Sequence, residues 1–217
     1  MDVGFYFIFV LFAFTAAITP GPNNLMLMSS GAMFGFKRSV PHILGVFVGY
    51  NFLLIAAIFG LGAVLSQFPW SLIIVKICGS AWLSWMGFKF LHAAFQVKTT
   101  QTLSKTNDIE KASSRPFKFY EAALFQWVNP KGLIMATLTA GAYVGIADDI
   151  VLRTFLMCGT FLIAGCVSAS TWTIAGSTLN RLMSSGKSAR ILNIIMGILL
   201  IGTALMILMA KVKTGQR

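Results

Sequence analysis

The sequence predicts an all-α polytopic membrane protein: six transmembrane helices arranged as two inverted three-helix repeats. Three observations point there. Of 217 residues, 57% are hydrophobic and 11% charged, with a mean hydropathy of +0.80, whereas a soluble chain carries about 25% charged residues. The apolar residues fall into six stretches, each near the roughly 20 residues a helix needs to cross the hydrocarbon core. Finally, one constant shift places Pro20, Gly31, Ala32 and Gly35 on Pro130, Gly141, Ala142 and Gly145. Each half then holds three spans, an odd number, so the halves insert in opposite directions.

The first span runs from about Phe5 to Ser30 and is closed by Lys37 and Arg38. The second runs from about Pro41 to Leu65, and Pro69 and Trp70 in the tight connection that follows suit a membrane interface. The third covers about Ser71 to Leu91. Residues 96–116, rich in Thr, Ser and Lys, form the one extended loop, between a first repeat of about 1–95 and a second of about 117–211. The fourth span runs from about Phe119 to Tyr143, the fifth from about Leu152 to Ser177 and the sixth from about Ile191 to Ala210. The whole chain is one membrane domain, with too little mass outside the spans for a separate soluble one. No basic leader or cleavage site precedes the first span, which is expected to serve as its own insertion signal.

The net charge of +11 would suggest nucleic acid in a soluble chain, but here the basic residues lie between apolar spans. Lys37 and Arg38 follow span one; Lys98, Lys105, Lys111, Arg115 and Lys118 follow span three, with Lys89 nearby; Arg181, Lys187 and Arg190 follow span five. The positive-inside rule puts these loops in the cytoplasm of a bacterial inner membrane, facing anionic headgroups, and the N-terminus outside. Lys211, Lys213 and Arg217 in the tail run against that orientation. Nucleic acid is excluded as a partner. Cys78, Cys158 and Cys166 lie in apolar segments without a CxxC pair, so neither a disulfide nor a metal site is expected. No cofactor is expected.

Thr19-Pro20-Gly21-Pro22-Asn23-Asn24 interrupts span one in a stretch with no charge between Asp2 and Lys37. Proline lacks a backbone donor and clashes with the preceding turn, so the helix must open there. Broken backbone survives in lipid only where protein or a water-filled cavity satisfies the freed groups. Gln126-Trp127-Val128-Asn129-Pro130-Lys131-Gly132 makes a second break in span four. Lys131 falls near mid-bilayer, where a charge costs roughly 2.5–3.5 kcal/mol on insertion scales and must face a cavity or a partner. An ammonium beside freed backbone amides suits a carboxylate ligand. Discontinuous helices that meet at mid-membrane are how many secondary transporters build a substrate site. The candidate substrate-binding residues are therefore Thr19, Pro20, Gly21, Pro22, Asn23, Asn24, Gln126, Asn129, Pro130 and Lys131.

Both motifs resemble the LysE/RhtB family of bacterial amino-acid exporters. The resemblance continues through Gly35-Phe36-Lys37, Gly45-Val46-Phe47-Val48-Gly49 and the run from Lys76 to Gly87, and ends at Gly197 and Gly202. Two departures stand out: Trp82 where the family usually has Tyr, and Glu121 in a normally apolar stretch. The resemblance implies an exporter of amino acids coupled to the proton-motive force, and Phe125-Gln126-Trp127 before Val128-Asn129-Pro130-Lys131 resembles members linked to small neutral amino acids. It is also what implies the outward direction of transport. Lys76 matches a family lysine, and a proton-coupled carrier needs a titrating group, so Lys76 and Glu121 are weaker coupling candidates. Glu121 otherwise makes an interfacial ion pair with Lys118. Asp148 and Asp149 read as a solvated loop, and His42 and His92 as packing near span ends. Gly31/Gly35, Gly45/Gly49 and Gly141/Gly145 let helices approach closely, within one chain or between copies in a homo-oligomer. A membrane enzyme or redox carrier would need a nucleophile–base set or paired cysteines, and the sequence shows neither. A non-transporting structural subunit, or a carrier of another small solute, is the alternative; polar breaks with no cavity to line argue against the former.

Overall fold

The computed structural model describes residues 2–68, 70–96, 115–182 and 186–209. Among them there are eight helices and no strand. In chain order these are α1 (Val3–Ile18), α2 (Pro22–Ala56), α3 (Gly62–Gln67), α4 (Trp70–Gln96), α5 (Phe119–Phe125), α6 (Pro130–Ala142), α7 (Ile150–Leu182) and α8 (Gly186–Met209). A π-helical turn, Ala57–Leu61, joins α2 to α3, and a 3₁₀ turn, Gln126–Val128, joins α5 to α6. Pro69, Lys98, Lys105, Lys111, Lys211, Lys213 and Arg217, with the side chains of Arg181 and Lys187, lie outside the described residues.

α2 is two helical arms joined across a kink at Gly35. Gly35 has φ 74°, a left-handed conformation open to glycine at no steric penalty. The hydroxyls of Ser30 and Ser39 meet at 2.8 Å, and Ser39 also donates to the Gly35 carbonyl. Nine residues of straight helix would hold Ser30 and Ser39 roughly 13 Å apart along the axis. The chain therefore turns back at Gly35, and α2 is a hairpin of two arms. Pro41, six residues past the corner, removes one ladder bond, the one to the Lys37 carbonyl, near the start of the second arm.

The principal packing is α2 against α7 and α4 against α8. Small residues set the first contact. A Cβ on Gly31 would meet the Thr173 carbonyl, and one on Gly176 would meet the Met28 carbonyl, so the two backbones touch. Gly45 and Gly49 likewise face the backbone of Phe119 and Ala123 in α5. The other glycines of the expected pairs make no close helix contact within the chain among the described residues. Gly35 is the corner just described, Gly141 has nothing within 4 Å, and Gly145, outside α6, meets only the Phe5 ring.

Three apolar clusters form among the described residues: a small one of Leu27, Ile43, Val46, Ala122 and Ala169, and two larger ones. One of the larger two joins α1, the second arm of α2, α6 and α7 through Phe9, Leu53, Leu54, Leu133, Met157 and Phe161. The other joins the first arm of α2 to α4, α5 and α8 through Leu25, Met26, Leu83, Phe125, Met196 and Leu200. The outward faces are apolar as well: Phe155 is 74% exposed and Leu138 60%. Pro22–Leu61 and Ile150–Leu179 are long and apolar enough to cross a membrane, and Val3–Ile18 and Asn193–Met209 are shorter apolar helices. Helices that are apolar on all sides fit lipid surroundings.

Candidate functional site

Both helix breaks form where the prolines require them. α1 ends at Ile18, Thr19 and Pro20 are non-helical, and α2 restarts with Pro22 at its first position and Gly21 as N-cap. In the other half α5 passes through the 3₁₀ turn, and α6 restarts with Pro130 at its first position and Asn129 as N-cap. Proline is at home there because its missing N–H would be unpaired anyway and its φ is already helical. The structural counterpart of Pro130 is thus Pro22, two residues beyond the Pro20 that sequence comparison placed there.

Opening α1 orphans its last carbonyls, which must find donors elsewhere. Thr19 donates to the Thr15 carbonyl from its N–H at 3.1 Å and its hydroxyl at 2.6 Å. The Ala17 carbonyl accepts from Asn24 Nδ2 at 2.9 Å and from Ser168 Oγ at 2.7 Å. Trp172 Nε1 donates to the Ile18 carbonyl at 3.1 Å. The Thr19 carbonyl accepts from Asn24 Nδ2 at 2.9 Å and from Lys131 Nζ at 2.6 Å. The Lys131 cation therefore sits at the partially negative end of α1, where the macrodipole favours it.

The two breaks also touch side chain to side chain. Asn23 Nδ2 donates to Gln126 Oε1 at 2.6 Å, and Gln126 Nε2 donates back to Asn23 Oδ1 at 3.3 Å and to the Ala122 carbonyl at 2.8 Å. Gln126 is fully buried. Gly21 matters for proximity, not for φ, which is extended at −171°. A Cβ there would fall 2.7 Å from Lys131 Cδ and 3.1 Å from its Nζ. Neither Gly21 nor Asn129 has a side-chain cap on the helix it opens. The N-termini of α2 and α6 therefore present uncapped amide groups, an environment that favours anions.

A cavity partly open to the outside lies at this junction. Gly21, Asn23, Asn24, Gln126, Asn129 and Lys131 line its polar side. Asn129 Oδ1 is buried there without a partner among the described residues. Tyr50 and Val46 from α2, Met135 from α6 and Phe161 from α7 make its apolar side. Asn23 and Tyr50 share this cavity only because of the Gly35 corner, since 27 residues of straight helix span roughly 40 Å.

Of the ten sequence-predicted residues, six line the cavity, Thr19 contributes its carbonyl, and Pro20, Pro22 and Pro130 shape the backbone. Lys76 lies on α4 and is not among the lining residues. Glu121 pairs with Arg115, at 2.6 and 2.8 Å, and not with the Lys118 side chain; Lys118 contributes its backbone N–H at 2.9 Å. His42 packs, as expected, but in the interior: it is 1% exposed and lies against the Phe117 ring at 5.0 Å. Sequence reasoning missed Ser168, Trp172 and Tyr50. The run Ser168-Ala169-Ser170-Thr171-Trp172-Thr173 inside an apolar span was the available signal for the first two.

The model of the LysE type translocator family matches residues 14–211. The chain is 25% identical over 210 residues to a leucine efflux protein of Enterobacter sp. (strain 638), covering 92% of each. It is 25% identical over 212 residues to a cysteine/O-acetylserine efflux protein of Escherichia coli (strain K12), covering 92% of this chain and 95% of that one. No solved structure matches it. With paired proline-opened helices at its centre and a family match over nearly its full length, the chain belongs to the LysE family of translocators.

Proposed function

We propose that this protein is a secondary transporter that exports small neutral amino acids, or derivatives of them, from the cytoplasm across the bacterial inner membrane at the expense of the proton-motive force. The efflux activities named for its relatives support amino acids as the cargo. Six spans are read onto the helices: α1 with the first arm of α2, the second arm of α2, α4, α5 with α6, α7, and α8. Spans one to three and four to six form the two inverted repeats, whose relative rocking alternates access to the site. The N-terminus lies outside.

The meeting of the two breaks carries this reading. The uncapped amides at the start of α2 and α6, with Lys131, receive the α-carboxylate. Asn129 Oδ1, buried and unpartnered, accepts from the α-ammonium. Asn23, Asn24 and Gln126 add neutral polar contacts, and the wall of Val46, Tyr50, Met135 and Phe161 takes the side chain. Thr19 supplies the carbonyl that holds Lys131 between substrates.

Amino-acid analysis of the medium around cells overproducing the protein tests this. A few neutral amino acids should accumulate outside with the wild type and not with Lys131→Ala. An unchanged medium for every amino acid would refute export of this class.

A further inference from the structure

A second cavity lies further along the same two helices. From Gln126, α5 leads back to Glu121, and from Asn23 the first arm of α2 leads on to Met26, Ser29 and Ser30; all four of these residues line the second cavity. α4 closes the other side with Trp82, Trp85 and Lys89, and Arg115 stands beside Glu121 at the edge. Lys89 and Arg115 line this cavity and the Lys118 N–H donates to Glu121, so its rim is basic.

Its charged groups have a definite geometry. Arg115 Nη1 and Nη2 donate to the two Glu121 carboxylate oxygens at 2.8 and 2.6 Å, a fork-on-fork pairing. The Lys89 ammonium lies 3.8 Å from the centre of the Trp85 ring. Trp82 Nε1 is buried without a partner among the described residues. The cavity thus offers a guanidinium fork and an ammonium for an anion, and one carboxylate for a cation. A phosphate would meet Glu121 as a repelling charge. A zwitterion fits both signs.

We propose that this cavity is a second amino-acid site, a vestibule on the basic side, where Arg115 and Glu121 exchange each other for the substrate's α-carboxylate and α-ammonium. The exchange conserves charge: a free carboxylate presents Arg115 with the same two oxygens as Glu121, and the released Glu121 accepts from the ammonium. The pair opens readily because its side chains are 55% and 24% exposed, and a solvent-screened ion pair adds little to stability. Met26, Met86 and Phe90 give the substrate side chain an apolar wall that adapts to several shapes. The assignment rests on the export reading above, since it gives the same cargo a station before the central site.

Equilibrium binding to the purified, full-length protein in lipid nanodiscs tests it, with radiolabelled L-leucine first and then O-acetylserine and the other neutral amino acids. Two molecules per chain are expected for the wild type, one for R115Q/E121Q and one for Lys131→Ala. The single molecule kept by R115Q/E121Q also reports that its central site is folded. A double variant that binds none is resolved by Arg115→Lys, which keeps the charge and loses the fork; its vestibule affinity should fall about tenfold, and an unchanged second site there overturns the proposal. A wild type that binds one molecule, kept by R115Q/E121Q and lost in Lys131→Ala, removes the vestibule and leaves the export reading intact. A wild type that binds none of the neutral amino acids overturns both.

Discussion

The Lys131 ammonium donates to the Thr19 carbonyl oxygen across 2.6 Å, so one broken helix supplies the cation that completes the other. A hydrogen bond to a charged group is worth about 1.5–3 kcal/mol. Lys131→Ala should therefore weaken substrate binding about 10- to 100-fold, while the protein still reaches the membrane. Binding isotherms on the purified variant measure this. Wild-type affinity would remove Lys131 from the site.

Gly21→Ala probes the same contact from the other side. The backbone tolerates alanine at an extended φ, but its methyl would crowd Lys131 at 2.7 Å. Export should fall about tenfold with no loss of protein, and Gly21→Ala should add little in a Lys131→Ala background, because contacting residues are non-additive. Fully additive losses in export assays would mean that Gly21 acts by another route.

The Asn23–Gln126 amide pair should behave as one unit. Asn23→Ala strands the buried Gln126 amide and should destabilise by about 1–3 kcal/mol, whereas Gln126→Ala strands only the half-buried Asn23 and should cost less. The double variant should lose less than the sum, with a coupling of about 0.5–3 kcal/mol. Thermal unfolding of the four proteins in detergent gives this number directly, and a coupling of zero would show that the pair is not maintained in solution.

Gly176→Val tests the central packing. A Cβ at Gly176 would meet the Met28 carbonyl and lie 3.0 Å from Ala32 N, neither of which can yield without moving α2. Folded yield should collapse. Gly141→Val, where nothing lies within 4 Å, should leave yield unchanged. Size-exclusion profiles of the two variants compare them, and equal yields would contradict the packing of α2 on α7.

Much of this was legible before any coordinates, because proline acts locally. Pro20, Pro22 and Pro130 remove backbone donors wherever they stand, and both openings appear where they require them. Which proline restarts each helix was less legible: Pro22 suits the first helical position, and comparison by identity alone chose Pro20. Residues that act across the fold were hidden. Nothing local tells which face of an apolar helix Ser168, Trp172 or Tyr50 presents, and that face decides whether it meets lipid, a freed carbonyl or a cavity. Glu121 was assigned to Lys118 by nearness in sequence. The helix start at Phe119 instead turns the Lys118 N–H toward Glu121 and leaves the carboxylate to the fork of Arg115.

The backbone contact between α2 and α7 has a mechanical consequence. Where main chains meet at Gly31 and Gly176, no layer of side chains is available to slide or repack. Under the proposed rocking the pair would serve as an axle, about which the rest of each half turns. The same axle runs beside the junction of the two breaks, because Ser168 and Trp172 on α7 hold the Ala17 and Ile18 carbonyls. The cargo would then sit close to the pivot, where a small rotation exchanges one opening for the other while the binding groups barely move.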